Sequence, residues 1–180
     1  MRVVLDTCVL IPTPIRVILL GLAERDLFFP LWSKKIINEW EFFIGNNRKE
    51  FVDSTRIEIL LMTSKWNSSI IRDDPILEST LFLPDKNDRH VLATAITGQA
   101  EVLLTNNLKD FPPRVLAKYG IIPRNVDSFV LELFYEDPQL VKPIVLSAFD
   151  LSADYTGRIT SKKSFLKKHG LPRIAKAIIH

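Results

Sequence analysis

Cysteine, histidine and long apolar runs are all scarce in this sequence of 180 residues. The single cysteine, Cys8, rules out an intramolecular disulfide and leaves no basis for a zinc cluster. No apolar stretch approaches the length of a transmembrane helix, and the apolar run that follows Arg2 is cut off at once by Asp6. We therefore expect neither a membrane span nor a signal peptide, and the cytoplasm is the expected location.

The residues that are present describe an ordinary folded protein. Hydrophobic residues make up 47% of the chain and charged residues 25%, as in soluble globular proteins. The length corresponds to one domain with room for a small appendage. The net charge of +3 and the pI near 9.0 permit a polyanionic partner without demanding one.

Short apolar runs alternate with helical patterns along the first two thirds of the chain. Strands are predicted over residues 2–5, 27–30, 102–104 and 119–123. Helices are predicted over residues 15–23, 57–62 and 126–134, after the N-cap candidate Ser33, and after Asp88, where Gly98 supplies a stop. This alternation favours a parallel α/β sheet.

Polar residues stand where such a sheet binds ligands. Asp6 follows the first strand, although an aspartate there also serves as a helix cap. Asp88 precedes apolar residues 91, 92, 95 and 96, a spacing that puts it at the head of the buried stripe of its helix. The strand at 102–104 ends in the polar residues 105–107. These groups are either caps and turns or parts of one site.

The helix that follows Ser33 offers two acids. Its predicted apolar stripe is made of residues 36, 37, 40, 43 and 44. That stripe leaves Glu39 at one margin and Glu41 at the other, so the periodicity does not choose between them.

Clustered carboxylates repel one another and are tolerated mainly where a cation neutralises them. Oxygen ligands without a His or Cys cluster favour Mg²⁺ or Mn²⁺ over zinc. Such ions polarise a phosphodiester and position an attacking water. The chemistry that the sequence predicts is metal-assisted phosphodiester hydrolysis.

At this point the sequence resembles the PIN-domain proteins, the fold of VapC-type toxin ribonucleases. The resemblance runs in the family's order across roughly the first two thirds of the chain. It is carried by Val4-Leu5-Asp6-Thr7, Ile37-Asn38-Glu39, the run Asp88-Arg89-His90-Val91-Leu92-Ala93 and the run Leu104-Thr105-Asn106-Asn107-Leu108-Lys109-Asp110-Phe111-Pro112. The last two runs match the longer subfamily that has a helical C-terminal extension.

The resemblance implies an α/β/α sandwich, magnesium-dependent cleavage of RNA, and a dimeric toxin held inactive by a small antitoxin protein. Asp6 matches the first metal-binding acid of the family, Glu39 the helical acid and Asp88 the third. The fourth position departs from the pattern, because Asn107 stands where many PIN domains have an aspartate. An amide can ligate through its carbonyl oxygen, but it adds no charge.

We therefore expect a PIN-like nuclease domain over residues 1–136 and a helical extension over residues 137–180. The extension contains no acid after Asp154 and is a candidate for contacting a phosphate backbone. The expected Mg²⁺ or Mn²⁺ ligands are Asp6, Glu39, Asp88 and Asn107. Around them, auxiliary or substrate-contacting roles are expected for Thr7, Thr105, Arg89, His90, Asp85 and Asp110.

Two other classes compete with the ribonuclease. A PIN fold that has lost part of its metal site would bind RNA or protein without cutting, and Asn107 favours that reading. An aspartyl-phosphate phosphatase or receiver-like domain also has an aspartate after its first strand. Such phosphatases need a second acid two residues later, where this chain has Cys8.

Overall fold

A five-stranded sheet organises the protein. The computed structural model describes residues 1–156 and 161–179. Every pair of neighbouring strands is parallel, and the strand order is β3-β2-β1-β4-β5. The strands are β1 Arg2–Leu5, β2 Phe29–Ser33, β3 Ile70–Ile71, β4 Val102–Leu104 and β5 Ile122–Arg124. The parallel α/β sheet that the sequence predicts is thus confirmed.

Helices flank this sheet and continue beyond its last strand. They are α1 Thr7–Leu10, α2 Thr13–Ala23, α3 Lys34–Asn47, α4 Val52–Lys65, α5 Pro75–Thr80, α6 Arg89–Thr97, α7 Pro113–Leu116, α8 Val126–Glu136, α9 Pro138–Thr156, α10 Lys162–Lys168 and α11 Pro172–Ile178. Short 3-10 turns cover Lys49–Phe51, Asn67–Ser69, Lys86–Asp88, Leu108–Asp110 and Ala117–Tyr119. In the described part of the chain, no helix is long and apolar enough to cross a membrane.

The two central strands form the middle of the core. Val3, Val4 and Leu5 of β1 are fully buried, as are Leu103 and Leu104 of β4. Burial on both faces is typical of parallel strands covered by helices, and it explains why these strands are continuous apolar runs. The register pairs Leu5 with Leu104, so both strands end at the same edge. The polar residues that follow them therefore lie side by side.

Two strand boundaries differ from the prediction, and local turns explain both. The second strand begins at Phe29 and ends at Ser33 because the chain first turns at Asp26, whose φ is 59°, and the Leu27 amide bonds back to Leu22. The last strand begins at Ile122 because Gly120 adopts the left-handed conformation, with φ 71°. Both turns precede the extended backbone.

The helix starts and faces are closer to expectation. Ser33 caps α3, as predicted, by accepting a hydrogen bond from the Ile36 amide. The stripe of α3 is narrower than predicted: Ile36, Trp40 and Ile44 are buried, but Phe43 is 36% exposed on the flank of that row. Gly98 ends α6 with φ −77°, a conformation that does not require glycine. Glycine is favoured here because space is short: an added Cβ would lie 2.9 Å from the Leu31 side chain.

The C-terminal helices are anchored to the sheet domain through α8. Asp127, in the first turn of α8, accepts hydrogen bonds from the Arg173 and Ile174 amides at the start of α11, each 3.0 Å long. In the segment predicted as an extension, α9 packs against α2 and α8, α10 packs against α9, and α11 packs against α8. Arg158, one of the basic residues that make this segment a candidate for contacting a phosphate backbone, lies outside the described residues.

Candidate metal and active site

Asp6 is placed by β1 at the edge of the sheet where β4 also ends. It stands just before α1 but makes no side-chain capping bond, so the cap interpretation is wrong. Its Oδ2 instead accepts hydrogen bonds from the Thr105 hydroxyl at 2.6 Å and the Cys8 thiol at 3.0 Å. The side chain is 7% exposed. Thr105, one of the predicted auxiliary residues, therefore orients this carboxylate across the two strands.

Glu39 faces the same region from α3. Its Oε2 accepts a hydrogen bond from the Thr7 hydroxyl at 2.6 Å, and its Oε1 lies 2.7 Å from His90 Nε2. Burial raises the pKa of Glu39, but the hydrogen bonds from His90 and Thr7 outweigh it and hold the pKa below its ordinary value. Glu41 instead pairs with Arg56 at 2.6 Å. The structure thus separates the two acids between which periodicity could not choose.

The two basic residues that open α6 behave differently. His90 is 6% exposed and binds Glu39 through Nε2, while its Nδ1 is buried without a partner among the described residues. Arg89 has its Nε buried without a partner, and within the described ranges it makes no ion pair with an acid. Pairing with the acids therefore holds for His90 and not for Arg89.

Asp88 is the carboxylate whose surroundings are least favourable to a negative charge. Its Oδ2 is buried and has no hydrogen-bond partner in the described part of the chain. Burial, followed by the charges of Asp6, Asp85, Asp110 and Glu39, raises the pKa of Asp88 from 3.8 to about 6. Asp85, not Asp88, makes the local cap, by accepting from the Asn87 amide at 2.8 Å. Asp88 is thus left free for another role.

Asn107 and Asp110 act together beyond the end of β4. The Asn107 amide N–H donates to the Thr105 hydroxyl at 3.0 Å. The side-chain amide of Asn107 donates to Asp110 Oδ2 at 2.5 Å. The 3-10 turn Leu108–Asp110 thereby holds Asp110 beside the residue that replaces the family's aspartate. Asp110 is also near enough for its charge to raise the pKa of Asp88.

Cys8 is a member of this cluster that the sequence reasoning used only to exclude other sites. Its thiol contacts Asp6, lies 3.4 Å from the Thr105 hydroxyl and accepts from the Asn106 amide at 3.3 Å. Burial and the charge of Asp6 raise the pKa of Cys8 to about 12, so the thiol stays protonated and serves as a donor. Its position two residues after Asp6 was the available signal.

The donor chemistry of the cluster fits a hard divalent cation. Its donors are carboxylate and amide oxygens, the type that Mg²⁺ and Mn²⁺ prefer. Asp88 has a buried oxygen without a hydrogen-bond partner among the described residues, and burial and the neighbouring acids raise its pKa. A bound cation would supply the missing partner and would offset the repulsion between the acids. As the side chains stand, no three His, Cys, Asp or Glu residues in the described ranges are grouped to hold a metal ion. The fit is therefore one of donor type and charge.

The family model described as "PIN domain" matches residues 2–109 of this chain, which is more than half of its length. The chain belongs to the PIN domain family. The matched segment contains Asp6, Glu39, Asp88 and Asn107, whereas Asp110 follows directly after it. The helices from α8 onward lie outside the matched segment of this PIN protein.

Two known proteins resemble this PIN protein. The "Putative ribonuclease VapC50" of Mycobacterium tuberculosis (strain ATCC 25618 / H37Rv) is 39% identical over 67 residues, which cover 37% of this chain and 40% of that protein. This chain thus aligns with less than half of that relative. The crystal structure of VapBC2 from Rickettsia felis, bound to a DNA fragment from their promoter, superposes with a TM-score of 0.51 and 20% identity. The superposition covers 69% of this chain and 98% of that chain, and it supports the PIN fold alone.

Proposed function

We propose that this PIN protein is a metal-dependent endoribonuclease of the toxin–antitoxin type, which hydrolyses phosphodiester bonds in RNA. The observation that carries the proposal concerns Asp88. Its buried Oδ2 has no hydrogen-bond partner among the described residues and its pKa is raised, and a bound cation would favour the ionised form of such a carboxylate. Membership of the PIN family and the similarity to VapC50 support the reaction class.

Within this proposal Asp6, Glu39 and Asp88 would hold Mg²⁺ or Mn²⁺, with Asn107 as an auxiliary ligand and Asp110 assisting. A bound ion of this type polarises the phosphodiester and makes water a better nucleophile. Glu39, which the hydrogen bonds from Thr7 and His90 keep ionised, would bring a third negative charge to that ion. Thr105 and Cys8 keep Asp6 in one orientation by donating to the same oxygen. His90 acts through Glu39 and is a positioning residue.

The alternative is a PIN module that binds RNA or protein without cutting. Two observations favour it: both Glu39 oxygens already have partners, and Asn107 adds no charge where an aspartate would bind metal directly. The presence of Asp6 and Asp88 at one sheet edge speaks against it. The alternative differs from the nuclease in a single outcome, the absence of cutting at any metal concentration.

A metal titration of RNA cleavage separates the two functions. Wild type and Asn107→Asp are compared on a mixed RNA pool, after removal of any copurified inhibitor, from chelator to excess Mg²⁺ and then Mn²⁺. For the nuclease, cleavage saturates with metal, and Asn107→Asp shifts the half-saturating concentration downward because it adds a charged oxygen ligand. Turnover of the variant falls if the added charge repels the scissile phosphate.

Asp73→Asn serves as the control for the titration, since Asp73 lies outside the cluster, in the loop before α5. It should leave the metal dependence unchanged. Complete absence of cutting by wild type, with RNA binding retained, moves the assignment to the binding module. Undiminished cleavage in excess chelator removes the metal mechanism.

We further propose a small antitoxin protein as partner and a homodimer as the state of the free protein. The VapBC2 structure from Rickettsia felis supports the antitoxin partner, because it is the structure of a toxin–antitoxin complex. The exposed apolar row Ile57, Leu60 and Leu61 on α4 also supports a protein partner. Coexpression with the product of the adjacent gene, followed by mass measurement of the purified species, tests both. A monomer that captures no such product contradicts them.

The division into a nuclease domain over residues 1–136 and an extension over 137–180 is likewise a proposal. It is supported by the end of α8 at Glu136. The family match stops earlier, at residue 109, and leaves the extension outside it.

A further inference from the structure

The exposed cations of the C-terminal helices are unevenly paired. Lys162 lies 3.5 Å from Asp150, and Lys163 donates to the Ile179 carbonyl. Lys142 on α9 and Lys167, Lys168, Arg173 and Lys176 are exposed, and no carboxylate of the described residues forms an ion pair with them. Three of these cations, Lys167, Lys168 and Arg173, stand close to the turn between α10 and α11. Positive charge is therefore left free at the end of α10 and the start of α11.

These three residues form one corner of the protein, which we call the basic corner. The chain turns between α10 and α11 at Gly170, whose φ is 76°, and the Leu171 amide bonds back to Leu166 at 2.9 Å. The end of α10 consequently lies beside the start of α11. The Arg173 guanidinium donates to the Ser128 hydroxyl at 2.9 Å through one nitrogen, which fixes its direction. Within the described ranges its other side-chain donors make no hydrogen bond, so they remain available to a ligand.

A short series of contacts connects the basic corner to the acidic site. Thr105, which binds Asp6, donates its amide to the Arg124 carbonyl at the end of β5, at 2.9 Å. The chain then enters α8, whose Asp127 accepts from the Arg173 amide at 3.0 Å. Asp127 is 7% exposed, and both of its oxygens are used. The basic corner therefore lies at the same edge of the sheet as the carboxylates.

We propose that the basic corner binds the phosphate backbone of single-stranded RNA whose chain continues into the acidic site. The proposal rests on the proposed ribonuclease function, because that function supplies the RNA. The acidic cluster by itself repels a phosphate, and cations at the same edge of the sheet would hold the strand against that repulsion. Exposed lysines serve this purpose through counterion release, and a fixed arginine adds a directed contact.

The test compares two double variants that remove the same charge. Lys167→Gln with Lys168→Gln alters the basic corner. Lys118→Gln with Lys142→Gln is the matched control, because both lysines are exposed and have no carboxylate partner among the described residues. Lys118 precedes β5 and Lys142 is near the start of α9, which places them toward the opposite edge of the sheet. Thermal unfolding of both variants should match wild type.

Binding of a short single-stranded RNA is measured by fluorescence anisotropy in chelator over a range of salt concentrations. For single strands, the logarithm of the binding constant changes with the logarithm of salt by about 0.7 per phosphate contact. The corner variant should therefore lose about 1.4 from this slope. Its affinity at low salt should fall about tenfold, while the control keeps the wild-type slope and affinity.

Several results would overturn the proposal. Equal losses of RNA affinity in both variants would mean that only the net charge matters. An unchanged salt slope in the corner variant would show that Lys167 and Lys168 do not contact phosphate. Preference for duplex DNA over RNA, lost in the corner variant, would assign the corner to DNA, and absence of any RNA binding would end the proposal. Cleavage is scored separately with metal. Corner-dependent binding without cutting refutes the nuclease alone, whereas cutting without corner dependence refutes the basic corner alone.

Discussion

Replacing Asp88 by Asn should stabilise the metal-free protein at neutral pH. The carboxylate has a buried oxygen without a partner among the described residues. Burial, followed by the charges of four other acids, raises its pKa from 3.8 to about 6. At face value this shift is worth roughly 3 kcal/mol at a pH above both values. Because Asp88 is partly exposed, solvent screening reduces that figure to about 1 kcal/mol. For a chain of this length, such a change raises Tm by about 2–4 °C.

The sign of the pH dependence follows from proton binding. Between pH 3.8 and about 6, the folded state holds the Asp88 proton that the unfolded state has lost. Stability contributed by this group therefore falls as pH rises through that window and stays low above it. Asp88→Asn removes the penalty, so the Tm difference from wild type should be largest at pH 7.5 and vanish near pH 4.

Thermal unfolding in chelator, followed by circular dichroism at several pH values, measures the effect. Asp73→Asn is the control and should show no such pH-dependent gain. Saturating Mg²⁺ should stabilise wild type more than Asp88→Asn and close the gap, because the cation binds only the folded state. A lower Tm for Asp88→Asn than for wild type in chelator at pH 7.5 would refute the argument from charge repulsion.

Three further changes test other parts of the molecule. Asp6→Asn should lower metal-dependent cleavage roughly a hundredfold in a steady-state assay, because it removes a charged metal ligand. Thr7→Val removes the 2.6 Å hydrogen bond to Glu39, so the pKa of Glu39 should rise and the acid limb of the pH–rate profile should move to higher pH. Asp127→Asn leaves one of two buried amides without an acceptor and should lower the free energy of unfolding by about 2 kcal/mol in urea titrations.

The order of the other strands and of the longer helices was readable from the sequence, because burial on two faces and on one face leaves different periods. The two-residue edge strand β3 and the short helices α5 and α7 were not predicted, because so few residues leave no period to detect. The strand at 102–104 was predicted with its observed bounds, since a fully buried parallel strand is a short apolar run. The exposure of Phe43 was not predictable, because it depends on which neighbours cover the flank of α3. The start of β2 depended on the turn at Asp26, which leaves only a weak signal in the sequence.

The acidic residues of the candidate site could be predicted from the sequence, but most of their hydrogen-bond partners could not. Asp6 follows a strand and Asp88 precedes a helix, and local sequence patterns locate both positions. The contact of Cys8 with Asp6 was missed because Cys8 was considered only in order to exclude a disulfide, a zinc cluster and a phosphatase site. The bonds from Asp127 to the start of α11 join residues 46 and 47 positions apart, and no local pattern reports such a pairing. The roles of the site residues stay predictions.

The amide at position 107 has a consequence for the whole cluster. An aspartate there would add a fifth acid to the four whose charges already raise the pKa of Asp88. It would increase repulsion in the metal-free protein while it strengthened cation binding. Asn107 lowers that repulsion, and its amide still directs the Asp110 carboxylate by a hydrogen bond. The same substitution, Asn107→Asp, should therefore tighten Mg²⁺ binding and lower Tm in chelator, two effects of opposite sign that arise from one added charge.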